Sequence, residues 1–335
     1  MTSNNQPTAI PMMKSACLLY LAALLPLMAQ HPDTPVFDQS RAGIQQQRQQ
    51  IIQQALRLRD EVPAIDKAEI DRQLSDPRPE PIELPAPFRG TLSPEEIASH
   101  AHRSNLRVGY CYLCTRCDDW HLNLAGGYAI ANNVIVTCDH VMVNQTEMRD
   151  SFFVVADHQG NVALAVAVLA RSSAMDTAIL KVGGAEFTPV PLNPDVMQGA
   201  PAFCFSYPLR QQGFFSHGIV NRFFWNDRYR GEAPDTLDAL IHLRANFSTD
   251  WAPGSSGSAV LDQTGNVIGH VATIAGLSSG NRPATIITLR TGVPARSVQS
   301  LAHGLTKPEE IQRIARIGQQ NQASDAVSEN PDDPE

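Results

Sequence analysis

Between Arg107 and Leu289 the chain alternates short apolar runs with Gly, Asn, Asp and Pro, a rhythm too brief for helices. The runs predict strands at Arg107–Tyr112, Leu124–Ile130, Val134–Thr137, Phe152–Asp157, Ala163–Ala170 and Ala178–Val182. A second set follows at Ala202–Ser206, Gly218–Phe224, Leu237–Arg244, Ser258–Leu261, Val267–Thr273 and Ile286–Leu289. Turn signals such as Ala131-Asn132-Asn133 and Thr264-Gly265-Asn266 separate them. Six strands and then six more, with little helix, predict an all-β fold, either two packed antiparallel barrels or a sandwich.

The flanks read differently. Lys14 is the one charge before the uncharged run Ser15–Ala29, which is too short for a comfortable membrane span and suits the apolar region of a signal peptide. Residues 1–29 are therefore expected to direct export, touching a membrane only if they are not removed. Residues 30–91 read as an extension. Its helix, Gln45–Glu61, places Ile44, Ile51 and Leu58 at heptad spacing beside Ile52 and Ala55. Packing of this helix on the main domain is favoured over self-association through residues 44–61, which stays open. Pro77, Pro79, Pro81, Pro85 and Pro87 then suggest a stiff linker. A capping box, Ser93-Pro94-Glu95-Glu96, starts a helix running to about His102. A last helix is expected at Pro294–Ala302, and the polar residues 303–335 are expected to be disordered beyond a helix at Pro308–Ile317. The main domain is thus 92–302.

Candidate chemistry centres on Pro253-Gly254-Ser255-Ser256-Gly257-Ser258. A serine nucleophile needs an exposed hydroxyl on a tight turn, beside backbone N–H groups that can hold an oxyanion. Ser255 is disfavoured because Pro253, two residues before it, has no N–H to donate. Ser256 has Gly254 in that place, and Ser258 reads as the start of a strand. Of ten histidines, His140 stands out, at the end of the apolar run Asn133–Thr137, where a side chain can leave a sheet for a cleft. Asp139 adjoins it too closely to orient its ring, whereas Asp176 opens the run Thr177–Val182. Taken singly, each of these also fits a structural role.

Together the motifs Thr137-x-x-His140, Asp176-x-Ala178-x-Leu180-x-Val182 and Pro253-Gly254-Ser255-Ser256-Gly257-Ser258, in that order, resemble the trypsin-like serine proteases of the chymotrypsin fold, specifically the HtrA-like branch without a PDZ domain. Gly126-Gly127-Tyr128-Ala129-Ile130, Tyr207-Pro208 and Gly218-Ile219-Val220 add to the resemblance, which covers about Leu92 to Ala302. It implies two antiparallel six-stranded β-barrels with the active site between them. It also implies that Ser256 attacks a peptide carbonyl, that His140 moves the proton, that Asp176 orients the imidazole, and that the N–H groups of Gly254 and Ser256 form the oxyanion hole. Ser258 stands where many relatives have a second glycine, and Ala259 where they have proline. Asp250 and Trp251 fall at the pocket base, with Ala272, Thr273 and Ile274 as a mainly apolar wall. A turn role is favoured for Asp250 over selection of Lys or Arg.

The expected function is an exported serine endopeptidase acting on proteins or peptides; a non-catalytic scaffold or an esterase-like hydrolase are the alternatives. The net charge of −8 argues against nucleic acid as a partner. No cofactor is implied. Cys111, Cys114, Cys117 and Cys138, with His121, have ligand-like spacing, but for an exported chain one or two disulfides are favoured over zinc, and no metal is assigned. A hairpin of the expected strands Leu124–Ile130 and Val134–Thr137 is expected to return Cys138 beside Cys114 and Cys117, and Cys204 reads as a buried free thiol.

Overall fold

The computed structural model describes residues 35–143, 148–229, 237–278 and 287–304. The expected leader at 1–29 and the tail from 305, including the helix at 308–317, lie outside them. The described strands close into two antiparallel barrels of six.

The first barrel contains β1 (Leu106–Cys114), β2 (Trp120–Ala131), β3 (Val134–Thr137), β4 (Met148–Ala156), β5 (Val162–Ser172) and β6 (Thr177–Gly183), in the order β1-β2-β3-β6-β5-β4. The second contains β7 (Pro201–Ser206), β8 (Phe214–Trp225), β9 (Leu243–Phe247), β10 (Ala259–Leu261), β11 (Val267–Leu277) and β12 (Ile287–Pro294), in the order β10-β11-β12-β9-β8-β7. Closure leaves no open sheet edge to manage, which is how such a barrel avoids edge-to-edge association. One apolar cluster joins the two barrels. Tyr128, Ile130, Val136 and Ile179 from the first pack with Phe203, Phe205, Val267 and Val293 from the second, all buried.

Pairing register decides where the site forms. Val134–Thr137 of β3 lie against Lys181–Ala178 of β6, with Thr137 opposite Ala178. The strands are antiparallel, so the residues that follow β3 and those that precede β6 emerge at the same end. His140 and Asp176 are 36 residues apart in sequence and adjacent there.

Three helices precede the barrels. In α1 (Arg41–Arg59) Ser40 Oγ accepts from the Gly43 N–H at 3.0 Å. Its buried residues Ile51, Ile52 and Ala55 pack with Leu122, Phe152 and Val154, so its apolar face is taken up by the first barrel. The second, α2 (Lys67–Ser75), was not expected from the polar stretch that contains it. Asp66 caps it, Ile70 and Leu74 enter the core, and buried Gln73 accepts the Val168 N–H at 2.8 Å where β5 is bulged. The proline-rich stretch then runs along the surface as a strap. Glu80 pairs with Lys181 of the first barrel, and Phe88 exchanges two hydrogen bonds with Asn266 of the second. In α3 (Pro94–Ser104) both bonds of the expected capping box are formed, at 3.2 and 2.7 Å.

One expected strand is wrong. Of Leu237–Arg244, residues Leu237–His242 form a short helix, α5, and the strand β9 begins only at Leu243. Ala239 and Ile241 are buried, and the Leu240 carbonyl accepts the Ser297 hydroxyl from α6 (Ala295–Gly304) at 2.7 Å. A short apolar run fits either period, and here packing against a helix decides.

Candidate active site

His140 lies in α4 (Asp139–Met142), a single turn that leaves the end of β3. Its Nδ1 is 3.0 Å from both carboxylate oxygens of Asp176, which also accepts the His140 backbone N–H at 3.1 Å. Its Nε2 is 2.9 Å from Ser256 Oγ. The three side chains form one continuous row from carboxylate to hydroxyl. The row is asymmetric in exposure: the imidazole is half-exposed and the Asp176 carboxylate is largely covered.

Each member is held by local structure. Asp176 sits at φ 60°, a left-handed conformation that aspartate tolerates better than most residues. The turn before it is closed by Ser172 Oγ accepting from the Met175 N–H, and by the Ser173 carbonyl accepting from the Asp176 N–H. The neighbouring Asp139 is buried and forms a two-bonded ion pair with Arg171 of β5. That pairing, not the imidazole, occupies Asp139. Burial nevertheless raises the Asp139 pKa above the usual carboxylate value. The hydrogen bond with Asp176 raises the His140 pKa above the ordinary histidine value, against an opposing contribution from burial.

The three candidate serines have different fates. Ser255 is fully buried and donates to Ser206 Oγ at 3.0 Å. Ser258 is also fully buried, and its hydroxyl packs at Gly126. Ser256 alone of the three reaches the histidine. Gly254 and Gly257 flank the loop at φ 101° and 83°, where a side chain would be strained. Among the described residues neither the Gly254 nor the Ser256 N–H donates a hydrogen bond within the protein, which leaves both available to an oxyanion. The loop is seated on the first barrel through glycine. The Gly126 N–H donates to the Ser256 carbonyl at 2.7 Å, the Gly126 carbonyl accepts from Thr137 Oγ1 at 2.8 Å, and a Cβ at Gly126 would collide with Ser258. The role of Gly126 was missed, although a Gly-Gly pair inside a strand is a sign of close backbone approach.

His270 of β11 is a second histidine beside the row. It is fully buried behind the triad, with Nε2 3.4 Å from the Asp176 carbonyl and Nδ1 3.4 Å from the Tyr128 hydroxyl. Burial pushes its pKa down to about 4.

On the specificity side, the Asp250 carboxylate is exposed and paired with Arg290, while its backbone is tied to Ser216 Oγ. Trp251 is buried against Phe247, and its indole N–H donates to the Thr273 carbonyl at 3.1 Å. Ala272 is buried, and Thr273 and Ile274 are exposed beyond it on β11.

The expected gathering of cysteines does not occur. Cys138 is buried with the triad, donating to the Val271 carbonyl at 3.0 Å, and Cys111 is buried in the apolar cluster beneath α1. Only Cys114 and Cys117 remain together, near His121. The β2–β3 hairpin forms, but Cys138, the residue directly after β3, lies against Val271 of the second barrel rather than beside the β1–β2 turn. All five described cysteines are free thiols, and Cys204 is fully buried in β7.

The family model of the trypsin-like peptidase domain matches residues 125–269. No curated protein sequence matches the chain. Among solved structures, a serine endoprotease from Yersinia pestis is similar at 17% identity and a TM-score of 0.46, covering 65% of this chain and 68% of that one. An HtrA-type protease solved with a tripeptide is similar at 16% identity and a TM-score of 0.48, covering 64% of each. The chain thus spans about two thirds of the length of these structures. All three members of the hydrogen-bonded row fall inside the matched segment, and the chain contains a trypsin-like serine peptidase domain.

Proposed function

We propose that the protein is a serine endopeptidase working through an acyl-enzyme on Ser256. The observation that carries this reading is the unbroken row Asp176–His140–Ser256, with contacts of 3.0 and 2.9 Å and an accessible face at the imidazole. Ser256 Oγ attacks the peptide carbonyl while His140 Nε2 takes its proton. The same proton then passes to the leaving amine. Asp176 keeps Nδ1 protonated and stabilises the imidazolium, and water repeats the sequence to release the acid. The Gly254 and Ser256 N–H groups receive the oxyanion, where loss of one donor typically costs about 10²–10³ in rate.

The proposed preference is for an apolar side chain before the cleaved bond. Asp250 is already neutralised by Arg290, and Ile274 of β11 is an exposed apolar side chain beyond the buried Trp251 and Ala272. The peptidase unit is read as residues 92–302, a range supported by the strap at Leu92 and by α6 after the last strand. Export is supported by the apolar run at Ser15–Ala29. Among the described residues no helix is long and apolar enough to cross a membrane.

The test is cleavage of casein and of a peptide library by the purified mature chain. Casein cleavage that disappears in Ser256→Ala is expected. Hydrolysis of small esters with no cleavage of any peptide bond would overturn the endopeptidase reading.

A further inference from the structure

We infer that Cys114, Cys117 and His121 form a zinc site at the turn between β1 and β2, separate from the catalytic row. The two sulfurs and a ring nitrogen all lie within 4.8 Å of one another, and Cys117 Sγ is 3.0 Å from His121 Nε2. Tetrahedral zinc with bonds of about 2.3 Å to sulfur and 2.0–2.1 Å to nitrogen needs S···S and S···N separations of roughly 3.8 and 3.5 Å. Side-chain shifts of about an ångström or less therefore complete three of the four positions.

The turn itself is built for this. The Cys114 N–H donates to the Asp119 carbonyl at 3.0 Å and closes the loop, and His121 pairs in register with Tyr112, whose ring centroid is 5.6 Å from that of the imidazole. The Arg116 N–H donates to Cys114 Sγ at 3.4 Å, so the backbone already offers a hydrogen bond to a thiolate there. Two soft sulfurs and an imidazole favour zinc over magnesium or calcium. The fourth position is left to water.

Binding displaces the two thiol protons and gives a neutral centre from two thiolates, one neutral imidazole and the dication. A disulfide within the same turn would use both sulfurs and leave His121 outside the bond. Among the described residues no other thiol is on hand, because Cys111, Cys138 and Cys204 are buried elsewhere. The metal would brace the hairpin on which α1 packs, where Arg48 donates to the Leu122 carbonyl.

The test uses the full mature chain with Ser256→Ala to prevent self-digestion, reduced and stripped of metal, and titrated with cobalt(II). One equivalent is expected to give thiolate-to-cobalt charge transfer and the visible bands of a tetrahedral site, both erased by one equivalent of zinc. The bands should vanish in Cys114→Ser and in Cys117→Ser and persist in Cys111→Ser, with near-UV circular dichroism checking the fold of each. Absence of the bands in the parent protein overturns the inference, as does their survival in both turn variants. Recovery of Cys114 and Cys117 as a mutual disulfide in protein isolated without reductant also overturns it.

Discussion

Acidification should loosen this protein through one buried histidine. His270 has two partners that suit a neutral ring: Nε2–H faces the Asp176 carbonyl, and Nδ1 can accept from the Tyr128 hydroxyl. Protonation removes the second bond and places a charge where no water reaches. In the folded chain its pKa is about 4, against 6.5 for an exposed histidine. Between those values the unfolded chain binds a proton that the folded chain does not, so stability is fully present above about pH 6.5 and falls as the pH drops. The gap of about 2.5 units, at about 1.4 kcal/mol each, amounts to about 3 kcal/mol lost on reaching pH 4. His140 acts with the opposite sign, because its raised pKa adds stability as the pH falls. Urea unfolding of Ser256→Ala, followed by tryptophan fluorescence from pH 7.5 to 4, should be compared with the same chain carrying His270→Gln. Any uniform shift of the curve is common to all pH values, so the decisive quantity is its slope with pH. The His270 chain should lose about 3 kcal/mol more than the His270→Gln chain. Equal slopes would refute the reasoning, since His140 and the carboxylates are common to both.

Three further outcomes follow from the same contacts. Asp176→Asn should lower kcat by about 10⁴ and move the acid limb of the kcat/KM profile to lower pH, because the bond that raises the His140 pKa is gone; steady-state kinetics across pH reads both. Arg171→Met leaves the Asp139 carboxylate buried without its partner and should destabilise the fold by about 3–5 kcal/mol, with much of that loss recovered in Arg171→Met with Asp139→Asn, as measured by thermal unfolding. Gly257→Ala forces a side chain into a φ of 83° and against the Gly126 carbonyl, and should cut kcat/KM by about 10² while the barrels still form, as judged by circular dichroism.

The barrels and the row of catalytic side chains were legible in the sequence for a physical reason. Strands covered on both faces, such as Val134–Thr137 and the end of β4, read as short continuous apolar runs, and the turns between them use a small set of residue types. The three members of the row sit at strand ends or in glycine turns, where local pattern and chemistry coincide. Leu237–His242 misled because six apolar-rich residues fit both periods, and its neighbour α6 chose the helix. The helix α2 was invisible because its few apolar residues, Ile70 and Leu74, matter only once a barrel is there to receive them. Cys138 was misplaced because the expected hairpin return ignored the second barrel: its partner is set by the approach of that barrel, through Val271. The same approach explains Gly126, whose missing side chain makes room for Ser258.

The central claim, that Ser256 is a nucleophile activated by His140, is tested most directly by fluorophosphonate labelling of the folded chain read by intact mass. One label per chain is expected, mapped to the peptide containing Ser256, absent in Ser256→Ala and severely slowed in His140→Ala. A folded protein that takes no label, or one whose label persists in Ser256→Ala, would contradict it.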